Sequence, residues 1–257
     1  MRITMIKQYY RPQTLEDALK LLSRADTRPL GGGTLLTQRS DKSFSVVDLQ
    51  ALGLDKLRKS GDHLEIGATV TLQTLFESSY AAKALKAALA LETPLNLRTM
   101  GTVAGTLVAC DGRSPFGMIM LALDAKITFA SGNKKISLGN YLPLRLGTDG
   151  VHPGDLITKV EIPLNARLSF ETVARTPADK PIVCAALAQW PSGRTRLALG
   201  GWGKSPLLAM DGNEASGVQA AARNACTDAA DEWASAEYRL EVAGILAKRC
   251  LDGIGSL

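Results

Sequence analysis

The sequence predicts an α+β chain in three consecutive units. A small α/β lobe spans residues 1–55 and a mixed-sheet lobe spans 56–163. A C-terminal domain of three-stranded antiparallel sheet and helices spans 164–257. Three observations predict this. Short apolar runs of strand length alternate with stripes at helical spacing through the first two thirds. Two glycine-rich stretches interrupt that alternation, around Gly31-Gly32-Gly33 and around Gly101 and Gly105. Beyond Pro163 the pattern changes to three strand-like runs in succession, then two alanine-rich helices.

The elements follow in order. Thr14 caps a helix whose Leu15, Ala18, Leu19 and Leu22 fall at i, i+3, i+4, i+7, with Asp17 in the first turn where the helix dipole favours a carboxylate. Residues 28–30 form a short strand that runs into the glycines, and 45–49 form a second, buried strand. Residues 64–68 are a strand. Thr71 caps a helix through Leu75 and Phe76, and 80–91 form another helix that Thr93-Pro94 ends. The second glycine stretch, 98–106, reads as a loop running into Leu107 and Val108. Ser114-Pro115 starts a helix with a stripe of Phe116, Ile119, Met120 and Leu123. A hairpin crosses Ser131-Gly132-Asn133 between strands at 126–130 and 134–138. Residues 139–154 read as loop, with four glycines and two prolines. Residues 157–162 form a strand ended by Pro163. In the last unit, strands are expected over 169–174, 182–189 and 194–199, with Pro191-Ser192-Gly193 turning the last pair. Helices are expected over 214–230 and 235–251, the second with Tyr238, Val242, Ile245 and Arg249 on one face.

Composition excludes several classes of function. The 257 residues carry a net charge of +5, scattered without a basic run, and 5% aromatics. That pattern does not suit nucleic acid, which wants clustered cations with stacking rings; it favours an anionic ligand or an acidic partner. No apolar run approaches the roughly 18 residues that span a bilayer, and the start shows no signal peptide, so the expectation is a cytoplasmic protein. Cys110, Cys184, Cys226 and Cys250 lie far apart, and His63 and His152 are the two histidines. Neither a metal site nor a disulfide framework is expected from them. No Ser-His-Asp or paired-carboxylate arrangement stands out, and no catalytic residue is assigned.

What remains is Leu30-Gly31-Gly32-Gly33-Thr34-Leu35-Leu36, with its echo Arg98-Thr99-Met100-Gly101-Thr102-Val103-Ala104-Gly105-Thr106. Glycine lets the backbone reach φ > 0 and turn successive N–H groups inward, which makes an anion nest. Two such loops can clamp one diphosphate. Neither is a Rossmann fingerprint or a P-loop. Glycine runs are also common as plain turns, so a generic α+β enzyme with a glycine-rich turn is an alternative.

In order and spacing, these stretches resemble the FAD-binding (medium) subunit of molybdenum hydroxylases, the flavoprotein family of carbon monoxide dehydrogenase and xanthine dehydrogenase. The resemblance spans nearly the whole chain. It includes Leu121-Ala122-Leu123-Asp124-Ala125, Pro153-Gly154-Asp155-Leu156-Ile157, Ile162-Pro163, Leu199-Gly200-Gly201 with Pro206, and Tyr238-Arg239 leading to Lys248-Arg249. It implies a two-part FAD-binding fold followed by a C-terminal flavoprotein domain. FAD would be held by Gly31, Gly32, Gly33, Thr34, Leu35, Thr102, Val103, Ala104, Gly105, Thr106 and Val151, with the flavin ring near the 147–152 loop. Backbone amides of 31–34 and 102–106 would take the pyrophosphate. The partners implied are a molybdopterin-binding large subunit and a 2Fe-2S small subunit, with electrons leaving to NAD, oxygen or a quinone; the helical C-terminal domain would be the docking surface. The chain departs from the family pattern at Leu35, Ala104, Thr106 and Pro115. Ala104 is compatible only if that position needs no positive φ. Asp111 and Ser114 are the candidates to replace an acidic side chain at 115. These departures leave open a second role, a member that binds flavin weakly and serves as an assembly or scaffolding subunit.

Overall fold

Thr14 opens the first helix as its place in the sequence predicts. Its hydroxyl accepts the Asp17 amide at 3.2 Å, and α1 (Leu15–Leu22) buries Ala18 and Leu22. The computed structural model describes residues 6–37, 43–146 and 156–255. α1 joins β1 (Ile6–Tyr10) to β2 (Thr27–Leu30), and both strands pair in parallel with the central β3 (Phe44–Asp48). β1 escapes the sequence reading because Ile6-Lys7-Gln8-Tyr9-Tyr10 shows no alternation and lies almost wholly exposed.

The second sheet is antiparallel throughout, in the order β4-β5-β8-β6-β7. Its strands are β4 (Leu57–Ser60), β5 (His63–Gly67), β6 (Lys126–Phe129), β7 (Lys135–Ser137) and β8 (Ile157–Pro163). The predicted hairpin is present, with Gly132 at φ +65° and Asn133 at φ +51° making the turn. Helices α2 (Leu72–Glu77), α3 (Lys83–Glu92), α4 (Leu95–Arg98), α5 (Val103–Ala109) and α6 (Pro115–Ala122) lie between β5 and β6. Two expectations are corrected here. Residues 98–106 are not one loop: Thr102 caps α5, and Gly105 sits in its first turn. Glycine reads as a breaker, but in a capped first turn it costs little. Residues 139–154 begin not as loop but as α7 (Leu138–Leu146), held by the buried Leu138, Leu142 and Arg145 despite Pro143; the remainder, 147–155, lies outside the described residues.

The third sheet has four strands, not three: β9 (Arg167–Val173), β10 (Val183–Gln189), β11 (Thr195–Gly200) and β12 (Leu207–Gly212), in the order β12-β11-β10-β9. β12 is missed because Leu207-Leu208-Ala209-Met210 contains no β-branched residue. α8 (Val218–Asn224) is shorter than expected, starting only after Gly217 at φ +77°. α9 (Ala236–Gly255) buries Arg239, Ala243, Leu246, Ala247, Cys250 and Ile254, while Tyr238 and Ile245 face outward. Among the described residues no helix is long and apolar enough to cross a membrane.

α6 holds the molecule together. Its sequence stripe implies one apolar face, yet every residue from Pro115 to Ala122 is buried. A helix apolar all round must be covered all round. On one side lie the helices behind the second sheet; on the other lie Ala186, Ala188 and Ala198 of the third. The far side of the third sheet packs Ala185, Leu187, Leu197 and Leu199 against α8 and α9.

A charged cluster pins this junction. Arg196, nearly fully buried, pairs with Asp211, lies 3.6 Å from Asp124, and donates to the Leu121 carbonyl at 3.1 Å. Arg194 bonds Asp211 at 2.8 Å and Asp124 at 3.2 Å. The Arg194 hydrogen bond, reinforced by Arg196, holds the Asp211 carboxyl below its ordinary value. A depressed carboxyl contributes stability that is present above the unfolded pKa and lost as pH falls through the folded one. Asp211→Asn is therefore expected to cost stability at pH ~7 and progressively less below pH ~4. Urea unfolding of both proteins across that range checks it; a constant difference would refute the ion-pair account.

Candidate functional site

The first glycine stretch begins where β2 ends. The Leu49 amide donates to the Leu30 carbonyl at 3.0 Å, after which the chain leaves the sheet. It turns directly into the second stretch. A Cβ on Gly32 would lie 1.7 Å from the Met100 carbonyl oxygen, and one on Gly31 would lie 2.8 Å from Thr102 Oγ1. Gly33 has φ +73°. The two stretches that the sequence singled out are in contact, and glycine is what permits it.

The contact leaves a row of open donors. Among the described residues no acceptor is bonded to the amides of residues 31–36; the first bonded amide is that of Thr37, which donates to the Gly33 carbonyl at 3.1 Å. Thr34 is half-buried and Leu35 is half-exposed beside it. Successive unpaired amides around a φ > 0 glycine form an anion nest.

The second stretch contributes differently from the expectation. Val103 N donates to Val70 O at 2.8 Å, Ala104 N to Ala68 O at 3.2 Å, Gly105 N to Thr102 Oγ1 at 3.2 Å, and Thr106 N to Thr102 O at 2.9 Å. These amides are already engaged, because α5 is capped and its first turn is stitched to residues 68–70. What the stretch offers is a small-residue surface and a hydroxyl. Thr102 Oγ1 lies in the crook between Gly31 and Gly105, 2.8 Å from where either Cβ would sit. Thr106 Oγ1 bends back to the Thr102 carbonyl at 2.8 Å. Ala104 is helical, so its replacement of glycine carries no backbone cost.

Between α5 and α6, the two candidates near Pro115 separate. Ser114 is committed: it caps α6 by accepting the Gly117 amide at 3.0 Å and donates to Glu92 at 2.8 Å, with 1% exposure. Burial pushes the Glu92 carboxyl above its usual value. Asp111 is open to solvent and bonds the Arg113 amide at 2.9 Å and Lys180 Nζ at 3.3 Å. Val151 lies outside the described residues.

Sequence reasoning missed Gly112. A Cβ there would lie 1.6 Å from the Trp202 carbonyl oxygen, and Gly201 N donates to Gly112 O at 2.7 Å. This backbone contact fastens the third sheet to the α5–α6 connection; the run Gly200-Gly201-Trp202-Gly203 was its signal. Arg113 adds a second tie, with its guanidinium 4.6 Å from the Trp233 ring centroid and a bond to the Pro181 carbonyl at 3.0 Å. The cysteine thiols are buried, which pushes Cys110 and Cys250 up to about 12. They are not poised as nucleophiles. Among the described residues no group of three His, Cys, Asp or Glu is placed to hold a metal ion.

An open amide row at a glycine junction, with a hydroxyl beside it and no carboxylate bonded to it among the described residues, fits a diphosphate such as that of FAD. Comparison with known proteins agrees. The family described as "FAD binding domain in molybdopterin dehydrogenase" matches residues 4–165. The chain is 29% identical over 253 residues to the uncharacterized protein YgfM of Escherichia coli, covering 94% of each. It is 26% identical over 275 residues to the carbon monoxide dehydrogenase medium chain of Afipia carboxidovorans, covering 95% of each. Its structure matches the reconstituted CO dehydrogenase from Oligotropha carboxidovorans with a TM-score of 0.80 and 26% identity, over 97% of this chain and 98% of that one. With the family match reaching from the first strand through the second sheet, the chain belongs to the FAD-binding domain family of molybdopterin dehydrogenases, and its cofactor is FAD.

Proposed function

We propose that this chain is the FAD-binding electron-transfer subunit of a molybdenum hydroxylase-type dehydrogenase, working with a molybdopterin-binding large subunit and a 2Fe-2S small subunit. The observation that carries the reading is the junction of Gly32 with the Met100 carbonyl, beside which the amides of 31–36 have no acceptor among the described residues, as a diphosphate cradle requires. Similarity to a carbon monoxide dehydrogenase medium chain and to a 6-hydroxypseudooxynicotine dehydrogenase complex subunit supports the placing within a complex.

In this reading the loop amides bind the diphosphate, and the Thr34 and Thr102 hydroxyls orient it. The exposed Leu35 and Met100 offer apolar surface beside that loop. Bound FAD supplies the electron relay between a partner's iron–sulfur clusters and an external acceptor, a task that needs no protein nucleophile.

Titrating purified protein with FAD tests this. A ligand at a hundred times its Kd stabilises the folded state by about 2.7 kcal/mol, an upward Tm shift of roughly 5–10 °C for a chain of this size. Stoichiometric FAD with that shift is the expected result; no shift and a colourless protein would overturn the reading. One observation favours the scaffolding alternative: the amides of 103–106 are engaged within the protein, which halves the donor set. Tight stoichiometric FAD excludes that alternative.

A further inference from the structure

We infer that Asp48 is a positioning residue for the diphosphate loop, anchoring the carboxyl ends of β1 and β3 beside the end of β2 so that residues 31–36 leave the sheet in a form that takes FAD. The inference deepens the reading above, since it rests on that loop being the seat of the diphosphate.

β1, β3 and β2 run parallel, so their carboxyl ends lie along one edge, the edge at which open parallel sheets bind ligands. Asp48 ends β3. Its register partner is Leu30, the last residue of β2 and the one before Gly31. Neighbouring strands lie ~4.8 Å apart and directly paired residues share a face, so the Asp48 carboxylate projects from the same face as the Leu30 side chain. The loop folds back over that side chain: a Cβ on Gly33 would lie 3.3 Å from Leu30 Cδ1.

Asp48 is 3% exposed, and a buried carboxylate is costly unless partners offset the loss of water. Every partner here anchors backbone or strand. Oδ1 accepts the Gln50 amide at 2.9 Å, which fixes the short helical turn Gln50–Leu52 that follows β3. Oδ2 accepts the Tyr9 hydroxyl, from β1, and lies 3.8 Å from Arg11 Nε. The bond to Asp48 raises the tyrosine above its ordinary value, which keeps the hydroxyl a donor. Tyr9 is itself 56% exposed, so its ring is not there to fill the core. Between these anchors, the Leu49 amide donates to the Leu30 carbonyl at 3.0 Å, the bond from which the glycine loop departs. The carboxylate thus steadies the residue on which the loop hangs. Without it the loop samples forms that do not take the diphosphate, and the apparent Kd rises as the competent fraction falls.

The test is FAD affinity, by fluorescence titration at a temperature where circular dichroism shows each protein folded, for wild type, Asp48→Ala, Asp48→Asn and Tyr9→Phe. Urea unfolding of the FAD-free proteins runs alongside. Asp48→Ala loses every anchor and is expected to bind roughly ten-fold more weakly, a competent fraction of about a tenth. Asp48→Asn keeps an acceptor for the Gln50 amide and stays within a few-fold of wild type. Tyr9→Phe loses one anchor at an exposed position and falls between wild type and Asp48→Ala. A purely structural carboxylate would lower the stability of the FAD-free protein and leave the Kd unmoved; that result overturns the inference. So does Asp48→Asn binding as weakly as Asp48→Ala, which would make charge, not anchoring, the cause. Should Asp48→Ala fail to fold, Tyr9→Phe decides: weakened FAD supports the inference and wild-type affinity refutes it. Wild type that takes up no FAD brings down the reading of the loop itself, whereas FAD bound equally tightly by every variant removes only the role of Asp48.

Discussion

Gly32→Val is expected to strip the protein of flavin while leaving its three sheets folded. The Cβ of any substituent would lie 1.7 Å from the Met100 oxygen and 2.5 Å from its carbonyl carbon, both backbone atoms. Met100 cannot yield, because its own amide donates to Leu97 O at 3.1 Å and the next amide, of Gly101, donates to the same oxygen at 2.7 Å. The loop of 31–36 must retreat, carrying its amides away from Thr102. Loss of those hydrogen bonds to a charged diphosphate is worth on the order of 3 kcal/mol or more, a drop in FAD affinity of roughly a hundred-fold. Gly31→Ala is expected to be milder, since its Cβ meets the Thr102 hydroxyl, a side chain that can rotate. The first sheet has its own core of Ala18, Leu22, Val47, Leu49 and Leu156, which the substitution does not touch. Flavin absorbance and circular dichroism on the three proteins give the ranking; a yellow Gly32→Val protein would falsify the cradle.

The junction of the two glycine stretches was legible because glycine is visible by what it lacks. Three in a row after a strand, echoed at 101 and 105, mark places where a Cβ cannot go, and the structure shows what stands there: Met100 O and Thr102 Oγ1. What each stretch does with its amides was not legible. Those of 103–106 are taken by Val70, Ala68 and Thr102, partners chosen by tertiary contact between α5 and the end of β5. The same limit explains α6, where a four-residue stripe predicts one buried face and tertiary packing covers all of them. It explains α7 too, whose Gly139 and Pro143 argue for loop until Leu142 and Arg145 are seen to be buried. Arg145 itself carried no signal, since a scattered cation reads as a solvated surface residue.

Arg239→Leu, in α9 behind the third sheet, is expected to lower stability sharply. The guanidinium is fully buried. Nε donates to Ile182 O at 3.2 Å, Nη1 to the carbonyls of Ala229 and Ala234, and Nη2 to Asp231 at 2.7 Å and Gly201 O at 3.5 Å. Leucine matches much of the volume but none of the donors, so buried carbonyls and a carboxylate lose their partner together. Burial raises the Asp231 carboxyl, but the bond from Arg239 and the amides of Trp233 and Ala234 outweigh it and hold the group below its ordinary value. Removing one member of such a buried pair costs about 3–5 kcal/mol, which for a chain of this length lowers Tm by roughly 10 °C. Arg239→Lys is expected to recover little, because an ammonium point charge cannot serve acceptors spread around a planar fork. The damage has a direction. Gly201 takes its amide to Gly112 and its carbonyl to Arg239, so loosening the arginine loosens the hold on the α5–α6 connection, at the opposite end of α5 from Thr102. FAD should therefore protect the variant less than wild type. Urea unfolding with and without FAD measures both effects, and an Arg239→Leu protein within about 1 kcal/mol of wild type, the range of an ordinary substitution, would refute the account.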